Sequence, residues 1–232
     1  MLVLSLDTTT RFGSAGLVSE QKLLAEINYL SPSTHSRQVL EAIAAVLKIA
    51  GIEFDQLQGL AVAAGPGSFT GIRIGLSLVK ALSLASGLPV ASVSSLQALA
   101  RKLLWPGVKM ISPVIDARKG EVFGCLYQVE NSKLKEIVPA GAYEPGQFLT
   151  RLPAGEQIYF IGTGADLYFP LFQEKLGERA IITDRSYYLA SEIGQLGEAL
   201  LSQGKGLKPG QIEPVYYRSS QAEEKKTDQA KK

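Results

Sequence analysis

Apolar positions recur along this chain in two rhythms. Residues 2–6, 14–18 and 23–29 carry the short or alternating runs of strands. Residues 36–50 repeat their apolar positions at helical spacing and stop at Gly51, a residue suited to a left-handed helix end. An unbroken apolar run, residues 60–64, reads as a buried strand. It feeds Gly65-Pro66-Gly67-Ser68-Phe69-Thr70-Gly71-Ile72-Arg73-Ile74-Gly75 and then residues 76–85, which have the length and periodicity of a helix.

The second half repeats that order. Residues 110–115 predict a strand ending at Asp116, as the first strand ends at Asp7. Residues 117–120 form a turn, 121–129 a returning strand, and 131–133 a second turn into 134–138. Residues 158–161 predict another strand, Gly162-Thr163-Gly164 its turn, and 165–176 a helix interrupted near Pro170. A last helix over 188–201 precedes a short strand at 214–217. Two strand–Asp–turn–strand units, each followed by strand–glycine–helix, point to an internal duplication and to an α/β fold with sheets of mixed direction. The pattern divides the chain into lobes at 1–105 and 106–220, with the break near Trp105-Pro106-Gly107. A polar tail at 221–232 is expected to be weakly ordered.

Composition narrows the function classes. The 232 residues are 46% hydrophobic, enough for a substantial core, and a net charge of +2 offers no footprint for gripping nucleic acid alone. One cysteine excludes an internal disulfide and fits a reducing compartment. The apolar start has no basic stretch before it, and no apolar run is read as a membrane span. The expectation is a cytoplasmic protein with no membrane contact.

A strand that enters a helix through Gly65-Pro66-Gly67 leaves helix amides pointing beside the turn, so Asp7, Gly65 and Gly67 are candidates for a phosphate site or for a structural turn. It is not a P-loop, because no Gly-Lys-Ser/Thr closes it. Asp7 and Asp116 are open to two roles: facing a metal–phosphate group, or capping the amides of the next turn. The first turn holds only one glycine and the second carries Arg118 and Lys119, which favours capping. His35 is the only histidine and stands at a helix start, where capping is expected. Cys125 lies mid-strand and is expected to be buried and inert.

The Gly65–Gly75 run, the opening Leu4-Ser5-Leu6-Asp7-Thr8-Thr9-Thr10, the stretch Ile115-Asp116-Ala117-Arg118-Lys119-Gly120-Glu121-Val122 and the ending Glu213-Pro214-Val215-Tyr216-Tyr217-Arg218 resemble the TsaB family over nearly the whole chain. The resemblance implies an actin-like ATPase fold of two duplicated mixed-sheet lobes and a non-catalytic partner subunit. In that family a separate enzyme makes threonylcarbamoyl-adenylate. TsaD then transfers the threonylcarbamoyl group to the adenosine following the anticodon, in tRNAs that read codons beginning with adenine. A small ATPase, TsaE, docks on the pair. The resemblance therefore implies TsaD and TsaE as partners, tRNA reached only indirectly, and metal and ATP carried by the partners rather than by this chain. TsaD places a metal-binding His-x-x-x-His shortly after its own Gly-Pro-Gly helix. The matching stretch here, Ser94-Ser95-Leu96-Gln97-Ala98-Leu99-Ala100, has no histidine.

Two helices remain that are apolar almost all round. In the first, Leu40, Ile43 and Leu47 form one stripe and Val39, Ala42, Val46 and Ile49 another. In the second, Ile72, Leu76 and Val79 form one stripe and Ile74, Leu78, Leu82 and Ala85 another. The second cover is either the chain's own remaining lobe or another chain. The resemblance selects a partner, with Leu40, Ile43, Leu47, Ile72, Arg73, Leu76 and Val79 as the expected interface. The rival readings are a homodimeric regulator using the same face and a free-standing actin-like phosphotransferase using Asp7 and the Gly65-Pro66-Gly67 turn.

Overall fold

The computed structural model describes residues 1–31 and 36–218. Strands β1 (Val3–Asp7), β2 (Phe12–Ser19) and β3 (Lys22–Leu30) form an antiparallel meander. Helix α1 (Ser36–Ala50) crosses to β4 (Gly59–Gly65), and α2 (Phe69–Ser86) crosses to β5 (Val90–Ser94). Helix α3 (Ser95–Arg101) follows. The second half repeats this with β6 (Met110–Arg118), β7 (Glu121–Glu130), β8 (Lys133–Tyr143), α4 (Pro145–Thr150), β9 (Ile158–Ile161), α5 (Thr163–Leu176), β10 (Ala180–Ile182) and α6 (Ala190–Ser202). The sheets run β3-β2-β1-β4-β5 and β8-β7-β6-β9-β10. In each, the first three strands in chain order pair antiparallel and the last two join parallel. The duplication read from the sequence is thus a duplication of topology. Even the second hairpins agree: Glu20 and Gln21 in one and Asn131 and Ser132 in the other all take positive φ, the backbone of a tight two-residue turn.

Alternation along the strands sorts the core into three layers. Leu4, Leu6, Leu60 and Val62 face α1 and α2. Their neighbours Val3, Ala61 and Ala63 face the middle layer, shared with α3, α6 and the inner side of the second sheet. The outer side of the second sheet is covered by α4 and α5 around Phe148, Phe160 and Phe172. Although α6 lies late in the chain, it packs on β1, β2, β4 and β5 of the first sheet, while α3 packs against β6–β8 of the second. Glycines make this exchange feasible: a Cβ on Gly194 would strike Val18, and one on Gly197 would strike Ala61. Ser14 Oγ accepts from the amides of Leu189 and Ala190, and Ser5 Oγ donates to the Ala190 carbonyl at 2.6 Å, pinning the start of α6.

Three expected elements differ. Helix α2 starts at Phe69, ahead of the run 76–85 and three residues before its first stripe residue Ile72, because Ser68 N-caps it by accepting from Gly71 N; it ends at Gly87, φ 74°. Helix α5 runs unbroken through Pro170, whose ring is exposed, as is Asp166, so water can reach the carbonyl that proline leaves unpaired. Residues 214–217 form no strand. Pairing between β1 and β4 stops at Val62, and one bond, Val215 N to the Ala64 carbonyl at 2.8 Å, ties the segment to the β4 end. The tail 221–232 lies outside the described residues.

Candidate functional site

Each lobe ends its first strand in the same local device. Asp7 is fully buried, and its Oδ1 accepts from the Thr9 amide at 2.8 Å and the Thr9 hydroxyl at 2.7 Å. Asp116 Oδ1 accepts from the Arg118 amide at 2.8 Å. Both aspartates therefore hold the amide two residues on, as a turn cap does. Burial pushes the Asp7 carboxyl up to about 6, against the Thr9 hydrogen bonds and the charge of Lys102, and its Oδ2 has no hydrogen-bond partner.

The Gly65-Pro66-Gly67 turn lies against this device, and Pro66 and Gly67 also line the cleft between the lobes. The Ser68 amide donates to the Thr9 carbonyl at 2.6 Å, and Thr8 Oγ1 donates to the Gly71 carbonyl at 2.7 Å. A Cβ on Gly67 would collide with Thr9, and one on Gly71 or Gly75 with Thr8. The glycines let the start of α2 lie directly on the β1–β2 turn. A cleft of roughly 670 Å³ opens beyond it between the lobes, with Arg11, Arg118 and Arg218 among its walls. Arg11 lies over the Phe12 ring, Arg118 is 3.7 Å from Asp116, and Arg218 is 2.8 Å from Glu121. Asp7, Gly65 and Gly67 thus form a packing joint.

The two-helix face divides differently from the expected interface. Ile43, Ile72, Leu76 and Val79 are buried beneath α1 and α2 against the first sheet, and Leu47 is half-buried at the edge of that core. The reason is Gly75, which shares the Ile72–Leu76–Val79 side and brings it down onto Thr8 and Val62. Of the expected residues only Leu40, 53% exposed, and Arg73 point outward. The outward stripe of α2 is Thr70, Arg73, Ile74, Ser77, Leu78, Ala81 and Leu84, the last 79% exposed; on α1 it includes Leu40 and Ala44. Between the helices runs a groove of roughly 520 Å³ whose walls include Val39, Leu40, Phe69, Arg73, Ile74 and Leu78. The Arg73 guanidinium carbon stands 3.9 Å from the Phe69 ring centre. Its Nε donates to the Tyr216 hydroxyl at 3.3 Å, and the Tyr216 ring stacks on Phe69 at 4.6 Å. Phe69 and Tyr216 were not foreseen as part of this face.

With apolar residues on both sides, α2 is the one helix among the described residues long and apolar enough by composition to cross a membrane, contrary to the sequence reading. Its inner stripe is instead core. Cys125 is buried, and burial pushes its thiol well above the usual range. Ser95 and Leu99 are buried. His35 lies outside the described residues.

Residues 29–226 match the family model described as TsaD, tRNA N6-adenosine threonylcarbamoyltransferase. The chain is similar to the tRNA threonylcarbamoyladenosine biosynthesis protein TsaB of Bacillus subtilis, 32% identical over 97% of both chains. Among solved structures, YeaZ from Pseudomonas aeruginosa superposes with a TM-score of 0.80 at 28% identity, covering 93% of this chain and 99% of that one. Component A of (R)-2-hydroxyglutaryl-CoA dehydratase from Acidaminococcus fermentans, at 11% identity and a TM-score of 0.56 over 87% of this chain and 99% of that one, shares the fold alone. The architecture is the actin-like ATPase fold.

Proposed function

Because the chain belongs to the TsaB family of tRNA threonylcarbamoyladenosine biosynthesis proteins, we propose that it is a catalytically silent subunit that pairs with TsaD through the outward face of α1 and α2. The observation that carries this reading is the groove between them. Among the described residues Leu40, Ile74 and Leu78 stand along it uncovered by the second sheet, which packs on the opposite side of the first. Paired helices with a second apolar stripe fit a protein partner better than solvent. The same reading assigns the threonylcarbamoyl transfer, the metal and the ATP to partner subunits, TsaD and TsaE, and places the assembly in the cytoplasm with tRNA reached through TsaD.

The Ser68 amide is spent on the Thr9 carbonyl and the glycines of the turn are closed by Thr8 and Thr9, which argues against the phosphotransferase alternative. A reconstituted tRNA threonylcarbamoylation assay tests the reading. Omission of this chain should abolish or sharply reduce modification. Adding it back as the Asp7→Asn, Asp116→Asn double variant should restore modification. A double variant that still assembles with TsaD but gives no modified tRNA would place chemistry in this chain and overturn the silent-subunit reading.

A further inference from the structure

The cleft end of the groove carries a cation with no acid beside it among the described residues. Arg73 is exposed, yet its guanidinium is already fixed over the Phe69 ring and by the Tyr216 hydroxyl. Among the described residues no carboxylate lies within ion-pair distance of it. Arg37, on the neighbouring helix, is by contrast held by Glu41 at 2.7 Å. Tyr216 is itself anchored, through Val215 N on the Ala64 carbonyl and through Arg218 on Glu121. An arginine whose side-chain freedom is already spent presents its terminal nitrogens as a ready fork, and a fork matches a carboxylate.

We infer that Arg73 is the anchor for an Asp or Glu on the docked partner. This rests on the reading of the α1–α2 face as the partner interface. The occupant is then an amphipathic helix of a different protein, with aliphatic side chains against Leu40, Ile74 and Leu78 and one carboxylate at the Arg73 end. A second copy of this chain fits less well. Helix α2 has no acidic residue, and α1 offers only Glu41, which Arg37 already holds.

The test is equilibrium binding of the full chain to TsaD from the same organism across a salt series, with melting temperatures for every variant. Arg73→Met should weaken binding on the order of 10- to 100-fold and flatten the salt dependence, with the melting temperature little changed. Arg73→Lys, which keeps the charge but not the fork, should recover part of the affinity. Tyr216→Phe should weaken binding by a smaller factor. If Arg73→Met binds as tightly as wild type with the same salt slope while Leu40→Glu abolishes binding, the face is right and the anchor is wrong. If Leu40→Glu also binds normally, the interface reading fails and takes this inference with it. If Arg73 and salt control only self-association of the chain, the occupant is a second copy and the inference is overturned.

Discussion

A charge placed on the outward stripe should separate assembly from folding, and the same charge on the inward stripe should not. Leu40 is 53% exposed and Leu76 is 4% exposed, on neighbouring helices of one face. Full burial of a leucine side chain is worth roughly 1.5–3 kcal/mol, so Leu40→Glu forfeits about 1 kcal/mol in the free subunit, where the new carboxylate stays wet. In a complex that covers the groove the carboxylate would be desolvated without a partner, at a cost of several kcal/mol. At about 1.4 kcal/mol per decade, a penalty of ~4 kcal/mol weakens binding on the order of 1000-fold. Leu76→Glu puts the charge among Leu4, Leu60, Val62 and Ile72 instead. A loss of about 4 kcal/mol or more there is a large share of the 5–15 kcal/mol that holds a typical domain. Thermal melts and size exclusion of each variant with TsaD distinguish the two. The expected result is a normally folded Leu40→Glu chain that no longer co-elutes, and a poorly folded Leu76→Glu chain. A Leu40→Glu chain that binds TsaD at wild-type strength, or a Leu76→Glu chain with an unchanged melt, would refute the assignment of inside and outside.

Three further outcomes follow from the packing. Asp7 ionises near 6 in the fold against 3.8 for an ordinary aspartate. The folded state therefore holds the extra proton between those values, and stability present below pH 3.8 is lost as pH rises through 6, by roughly 3 kcal/mol. Asp7→Asn, which can keep the Thr9 bonds through its own oxygen, should match wild type in urea melts at pH 4 and exceed it at pH 7.5; a less stable variant at pH 7.5 would show the charge to be favourable. Gly71→Ala drives a Cβ into the Thr8 carbonyl and should cost about 3 kcal/mol or prevent folding, whereas Gly87→Asn, at an open left-handed position, should leave the melt almost unchanged. Cys125 should resist a thiol reagent in the native protein and react once in strong urea; rapid native labelling would contradict its burial.

How much of this was legible beforehand depends on which physical signal each element leaves. Strand-end aspartates at positions 7 and 116 announced the duplication, and the matching turn caps explain why: the same backbone amide needs an acceptor in both lobes. Strand β5 and helix α3 went unread because Val90–Arg101 is rich in serine and alanine, whose burial here is set by the middle layer rather than by a periodic apolar face. The exchange of α6 onto the first sheet left only glycines and two serines as traces, and these look like loop residues until the partner surface is known.

The division of α1 and α2 into inner and outer stripes is the instructive miss. Periodicity alone cannot rank two apolar stripes on one helix, because each satisfies the spacing equally well. Close approach can rank them. Gly71 and Gly75 are useful only where a backbone comes within reach of another backbone, and both lie on the side of Ile72, Leu76 and Val79. That side must rest on the chain's own β1–β2 turn and β4. Once those residues are spent on the fold, Ile74 and Leu78 keep only a half-buried contact with the edge of that core, and Leu84 is 79% exposed. An outer stripe of leucine and isoleucine that leaves α2 as apolar as a membrane span is what the proposed partner interface requires: a second surface that becomes dry only on assembly, beside a first already dry in the fold.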